Sequence, residues 1–240
     1  MMNITLAHTL TESQSLKTLL NTQSDNAVLP AHVAATITIA PNTAVTLEDD
    51  LIAFHELGTT SLIKHTLTFV VLENSTLHYR MRVVPAEQAV SSTSATTIEK
   101  SISLKLAGKH AQAYVVCSCF GSGNNIFKFN TLQDHQVEET TSNLLVKGVL
   151  DDASKLICNS MITIQKDAQH TNAEQANKNI LLSKKARAVS IPQLEIEAND
   201  VKCKHGAAVS QLNKDHMFYL QSRGLDATLT KRMLIEAFLS

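Results

Sequence analysis

Cys203 and His205 stand two residues apart in Lys202-Cys-Lys-His-Gly206, inside a run with an extended pattern. On a strand, that spacing sends both side chains to one face. Thiols and imidazoles are the softer metal ligands among side chains. Cys117-Ser-Cys119 repeats the geometry with two thiols, at most half of a four-cysteine site. No second pair has metal spacing, so Cys117, Cys119 and the isolated Cys158 read as buried core. On chemistry alone Cys203 reads as a small buried hydrophobe, and His205 as a hydrogen-bonded structural residue. His135 and Glu138 could form a polar pair, although a satisfied turn or a strand-edge bond is the simpler account. Gln169, Gln175, Asn177 and Asn179 read as side chains that ladder between stacked strands. Lys184-Lys-Ala-Arg187 reads as a solvated basic corner.

The elements that must position these groups are mostly strands. From about Val33 to Val209 apolar and polar residues alternate, as in Thr36-Ile-Thr-Ile-Ala, Leu77-His-Tyr-Arg-Met-Arg-Val and Leu194-Glu-Ile-Glu-Ala. Alternation over four to eight residues is the strand signal, and the abundant threonine suits a pleated surface. A sandwich calls for tight hairpins with Asn-Gly or Asp-Gly turns. The chain has neither dipeptide and only 7 glycines. Its strands run on through short polar corners such as Asp151-Asp-Ala-Ser and Asp167-Ala-Gln-His, which favours a solenoid of stacked rungs, although no clean repeat period is visible. Residues 1–30 read as a short helix, starting near Thr11 or Ser13, and a linker; 31–210 as the β core; 211–240 as a helical segment. In the last of these, Asn213 and Asp226 are placed to cap two helices, and Gly224 fits a left-handed position at the end of the first.

At 240 residues and 44% apolar content the chain can bury a large core. A net charge of −1 gives no field that would favour nucleic acid or an anionic membrane. No apolar stretch approaches the roughly 20 residues that span a bilayer, and no secretory leader is visible. Four cysteines in a chain of this size are expected to be reduced thiols of a cytoplasmic protein. The phosphate-binding GxxxxGK[ST] motif of an ATPase is absent.

Several blocks together resemble the SufB/SufD family of iron–sulfur cluster assembly scaffolds. They are His135-Gln-Val-Glu-Glu-Thr-Thr-Ser-Asn143, Val146-Lys-Gly-Val-Leu150, Ala168-Gln-His-Thr-Asn-Ala-Glu-Gln-Ala-Asn-Lys-Asn179, Leu181-Leu-Ser183 with Pro192-Gln-Leu-Glu-Ile196, and the run from Asn199 to Gly224. They follow one another with matching gaps over roughly the last half of the chain. The resemblance implies a right-handed parallel β-helix with a C-terminal helical piece. It implies a non-catalytic scaffold that pairs with a SufB-type subunit or with a second copy of itself. It also implies that the C-terminal helices dock a SufC-type ABC ATPase, with Phe218, Tyr219, Arg223, Leu229, Met233 and Phe238 as contact residues. Family members carry an N-terminal helical domain, expected here to be reduced or missing, since only about 25 residues precede the β region.

Within that resemblance the chain looks like the D-type form. Ala186 stands where B-type members carry a cysteine, and Lys204 and Gly206 flank His205 where they carry acidic residues. The family reading makes His205 a candidate iron ligand at the subunit interface, holding a transient cluster or iron weakly enough to release it, with Cys203 a weaker candidate. Two other readings compete. One is an adaptor solenoid without cluster chemistry. The other is a β-helix carbohydrate-active enzyme, which would need clustered carboxylates and aromatic platforms; no carboxylate pair stands out and there is no Trp. The strict hexad pattern of an acyltransferase is likewise absent.

Overall fold

Alternating side chains can bury one face of a strand only if another element packs against it, here a second sheet. The chain achieves this by sending successive strands to opposite walls. The structure, a computed structural model, describes residues 3–15, 32–50, 62–84 and 95–240. One wall is a parallel sheet of β1 (Asn3–Leu10), β3 (His32–Ile39), β5 (Leu62–Val71), β7 (Thr97–Leu106), β9 (Ile126–His135), β11 (Lys155–Ile164) and β13 (Arg187–Ile196), in that order. The other holds β2 (Gln14–Ser15), β4 (Ala44–Asp50), β6 (Thr76–Val83), β8 (Gln112–Gly121), β10 (Thr141–Leu150), β12 (Asn172–Leu181) and β14 (Lys202–Ser210). Each coil of the chain adds one strand to each wall, which makes a parallel β-solenoid. Helices α1 (Lys214–Ser222) and α2 (Ala227–Leu239) follow.

The coil length explains why no period shows in the sequence. Pairing Leu62 with Thr97, Thr97 with Ile126, Ile126 with Lys155 and Lys155 with Arg187 gives successive spacings of 35, 29, 29 and 32 residues. Corners absorb the variation while the strands stay in register.

Those corners also explain the shortage of glycine. Where an odd strand hands over to an even one, Asn42, Asn74, His110, Glu139 and His170 take left-handed backbone angles, with φ between 53° and 59°. This is uncommon for residues with a Cβ. At four of the corners the left-handed N–H donates to a carbonyl one coil further on: Asn42 to Glu73, Asn74 to Lys109, Glu139 to Gln169 and His170 to Asp200. A Ser or Thr usually follows and its hydroxyl donates three residues back, as Thr43 to Ala40, Ser75 to Leu72 and Thr171 to Ala168. The coil-to-coil bond offsets the local strain, so a glycine is not required.

The interior is filled by small and branched side chains with few aromatics. Phe69 and Tyr79 meet with ring centroids 4.8 Å apart, and Phe127 and Phe129 at 6.4 Å. Cys117, Cys119 and Cys158 lie fully buried among them, in agreement with their reading as core.

The amino-terminal expectation is corrected. Residues 3–10 and 14–15 are strands that pair with β3 and β4, not the start of a helix. Asn3-Ile-Thr-Leu-Ala-His-Thr-Leu10 alternates with period two, and adding to an existing sheet edge outweighs a weak capping signal at Thr11. The strands therefore begin well before residue 31, and the rest of the expected helix and linker lies outside the described residues.

Candidate functional site

The last coil differs from the others in one physical respect: nothing covers its inner face. Ile162 on β11 is 0% exposed, whereas Leu194, its partner on β13, is 42% exposed. Ile164 and Ile196 repeat the contrast. On the opposite wall Asn179 is 2% exposed and its partner Val209 on β14 is 55%. The solenoid thus ends in an open mouth lined by the inward column of its last strands. Both are edge strands. Pro192, which lacks an N–H, is tolerated on β13 for that reason, and Lys202 and Lys204 on β14 are the charges by which exposed edges resist random pairing.

His205 belongs to this mouth. Cys203, two residues earlier, packs beside Ile162, Ile164, Ala168 and Ala173, so the odd-numbered residues of β14 face inward. Strand alternation puts His205 on the same side, exposed because no further coil stacks above it. Its partner on the strand below is Gln175, which is buried. Cys203 is half-buried, and desolvation pushes its thiol up, away from the thiolate that a metal would need. Among the described residues no three His, Cys, Asp or Glu side chains gather as a ligand set. His205 is therefore a single donor at a rim.

Inside the mouth the core turns polar. Gln133, His135, Ser142, Ser160, Gln175, Asn177 and Asn179 are all buried. His135 does not pair with Glu138, as it could have. Its ring contacts Thr140 Oγ1 at 2.7 Å and Ser142 Oγ at 2.8 Å, and burial pushes its pKa down to about 4. Glu138 instead accepts from exposed Lys109 at 3.2 Å. The expected amide ladder is also differently placed. Asn179 Nδ2 donates to Asn177 Oδ1 along one strand, while bonds between coils link Asn159 to Asn130 at 2.9 Å and Asn130 to Ser101 at 3.4 Å, on the outside of the other wall. Gln169 does bridge coils, accepting from Asp200 N–H. Gly148 leaves room for Asn179, whose Oδ1 would lie 2.5 Å from a Cβ there.

The helices form the second candidate surface. Asn213 accepts from the N–H groups of Asp215 and His216, Asp226 accepts from Leu229, and Gly224 has φ 93°. Helix α2 lies on the outer face of the even-strand wall, where Ile235, Phe238 and Leu239 meet Phe120, Val149 and Ile180. Lys231 binds Asp151 at 3.0 Å, and Ser118 Oγ donates to the Leu239 carbonyl at 3.0 Å. Phe238 is thus packing against the solenoid. Helix α1 buries no residue, and Phe218 is 74% exposed; Tyr219, Leu229 and Met233 are exposed too. Arg223 holds its guanidinium 5.3 Å above the Tyr219 ring. The basic corner at Lys184, Lys185 and Arg187 is solvated, and Ala186 between them is buried. No helix among the described residues is long and apolar enough to cross a membrane.

Two features were not read from the sequence: the open mouth, and Gln175 beneath His205. Leu194 and Ile196 alternate like core residues, and only the stacking order reveals that nothing lies beyond them.

This architecture defines a parallel β-solenoid with a C-terminal helical pair. Residues 82–238 match the family described as SUF system FeS cluster assembly, SufBD core domain, and the chain belongs to the SufB/SufD family. It is similar to an iron–sulfur cluster assembly SufBD family protein of Synechocystis, 43% identical over 97 residues (40% of this chain and 21% of the relative). It is also similar to the iron–sulfur cluster assembly protein SufD of Escherichia coli, 30% identical over 141 residues (59% and 33%). SufD of Bacillus subtilis is 32% identical over 120 residues (50% and 28%). These matches span between a fifth and a third of the relatives' own lengths.

Proposed function

We propose that this chain is a SufD-like, non-catalytic scaffold subunit whose open mouth forms a seam with a second solenoid, and that His205 offers an imidazole in that seam to an iron–sulfur cluster under assembly. The uncovered inner column of Leu194, Ile196, His205 and Val209 carries the reading. An apolar interior face exposed at the end of a stack calls for a partner. The partner would be a SufB-type subunit or a second copy of this chain.

The cluster is cargo, so weak ligation is an advantage. One neutral imidazole adds no charge and holds iron less firmly than thiolates would. The remaining ligands would come from the partner's side of the seam, because no three His, Cys, Asp or Glu side chains gather among the described residues. Cys203 is the weaker candidate, since its half-buried thiol favours the protonated form.

The exposed apolar face of α1 and the first turns of α2, comprising Phe218, Tyr219, Leu229 and Met233 with Arg223 beside them, would dock a SufC-type ABC ATPase. An amphipathic helical pair held on a rigid wall suits that role. Four free thiols fit a reducing, cytoplasmic setting.

Anaerobic coexpression with SufB-type and SufC-type subunits tests the reading. Iron and sulfide are expected to fall in His205→Ala, and the ATPase is expected to be lost from the complex when residues 214–240 are deleted. Equal cluster content in wild type and His205→Ala would refute the ligand role.

A further inference from the structure

We propose that Gln175 is a positioning residue for His205, accepting the hydrogen of one ring nitrogen so that the other presents its lone pair to the seam; this rests on the reading of His205 as an iron ligand. The two residues are register partners on β12 and β14 and share the inward column, one strand spacing of about 4.8 Å apart. Gln175 is 4% exposed, and its Oε1 is a buried acceptor without a hydrogen-bond partner. Such an atom is costly to leave unmet. The imidazole of His205 is the next side chain in the column and carries a donor in its neutral form.

The chemistry has a direction. A neutral imidazole has one N–H and one lone pair, and whichever nitrogen donates leaves the other free to ligate. An amide oxygen below the ring draws the hydrogen inward and leaves the basic nitrogen facing the mouth. An amide also accepts this bond without adding negative charge, so the ring is not driven to the imidazolium form that cannot ligate. Fixing the hydrogen on the nitrogen away from the metal is the usual way in which a ligating histidine is oriented. Lys204 and Glu174, which bond at 3.3 Å, lie on the outer face and do not intervene.

The test is long-range proton–nitrogen NMR on the full chain labelled with 15N-histidine, at about pH 8, above the ordinary histidine pKa. His205→Ala identifies the signal. In wild type His205 is expected to show one tautomer with two well-separated nitrogen shifts. Gln175→Leu is expected to bring the two shifts toward their average, as exchange between the two tautomers does. In the coexpressed complex Gln175→Leu is expected to weaken iron retention about tenfold. An averaged His205 in wild type, or a spectrum unchanged in Gln175→Leu, overturns the assignment. Iron lost in His205→Ala with tautomers indifferent to Gln175 overturns only the Gln175 role. Iron retained in His205→Ala overturns the ligand reading from which that role starts.

Discussion

Lys100 Nζ lies 2.9 Å from Asp49 Oδ2 in the middle of the solenoid, and neither side chain reaches solvent. The same ammonium is 2.7 Å from His65 Nδ1, and the Tyr79 hydroxyl donates to Asp49 Oδ2 at 2.7 Å. Four successive strands, β4 to β7, are tied together by this cluster, far from the open mouth.

Removing one partner leaves the other charge stranded in the core. Asp49→Ala is expected to cost about 3–5 kcal/mol in urea unfolding, whereas Asp49→Leu combined with Lys100→Met should be nearly neutral. A double variant as unstable as the single one would show that the ion pair stabilises more than packing can replace.

The carboxyl of Asp49 gives the core an acid limit. Burial by itself raises its pKa, but the charge of Lys100 and the bonds from Lys100 and Tyr79 outweigh this and hold it below the ordinary 3.8. Its contribution to stability is complete above the unfolded value and is lost as pH falls through the lower folded one. Acid unfolding monitored by circular dichroism should shift to higher pH in Lys100→Met.

His135 acts in a neighbouring window. Burial lowers its pKa from 6.5 to about 4, so the unfolded chain binds its proton first. Stability should fall by about 3 kcal/mol between those limits and level off below them. In His135→Gln the decline between pH 6.5 and 4 should largely disappear from denaturant titrations.

Gly148→Ala is expected to cost about 1–3 kcal/mol, because the new methyl would sit 2.5 Å from Asn179 Oδ1 and 2.7 Å from Leu156 Cδ2. Adding Asn179→Ala should recover part of that loss, a coupling that a double-mutant cycle measures.

The two proposed surfaces should respond to charge without unfolding. Leu194→Asp is expected to leave the melting temperature within experimental scatter and convert pairs of solenoids to monomers in sedimentation. Phe218→Asp should likewise change stability by no more than about 0.5 kcal/mol and yet remove the ATPase on copurification.

Much of the fold was legible. Alternation at Thr36–Ala40, Leu77–Val83 and Ile126–Phe129 announced strands, and the lack of Asn-Gly and Asp-Gly argued against hairpins. Asn213, Asp226 and Gly224 marked the helix ends that form, because capping depends on a few adjacent residues. The coil repeat stayed hidden because corners of unequal length shift it, and because Asn42, Asn74, His110, Glu139 and His170 perform the same left-handed turn with different residue types. Gln14 and Ser15 pair with β4 where a helix starting near Thr11 or Ser13 was expected, because a capping signal was given more weight than a neighbouring sheet edge.

The amino-acid sequence by itself determined which faces are apolar, where the helices start and stop, and that Cys203 and His205 share one side of a strand. These are local properties, set by backbone geometry within a few residues. Only the tertiary structure decided that Lys100 reaches Asp49 across 51 positions, that Phe238 packs inward while Phe218 points out, and that Gln175 lies beneath His205 at an uncovered end. Those outcomes depend on which coil stacks on which, and on where stacking stops.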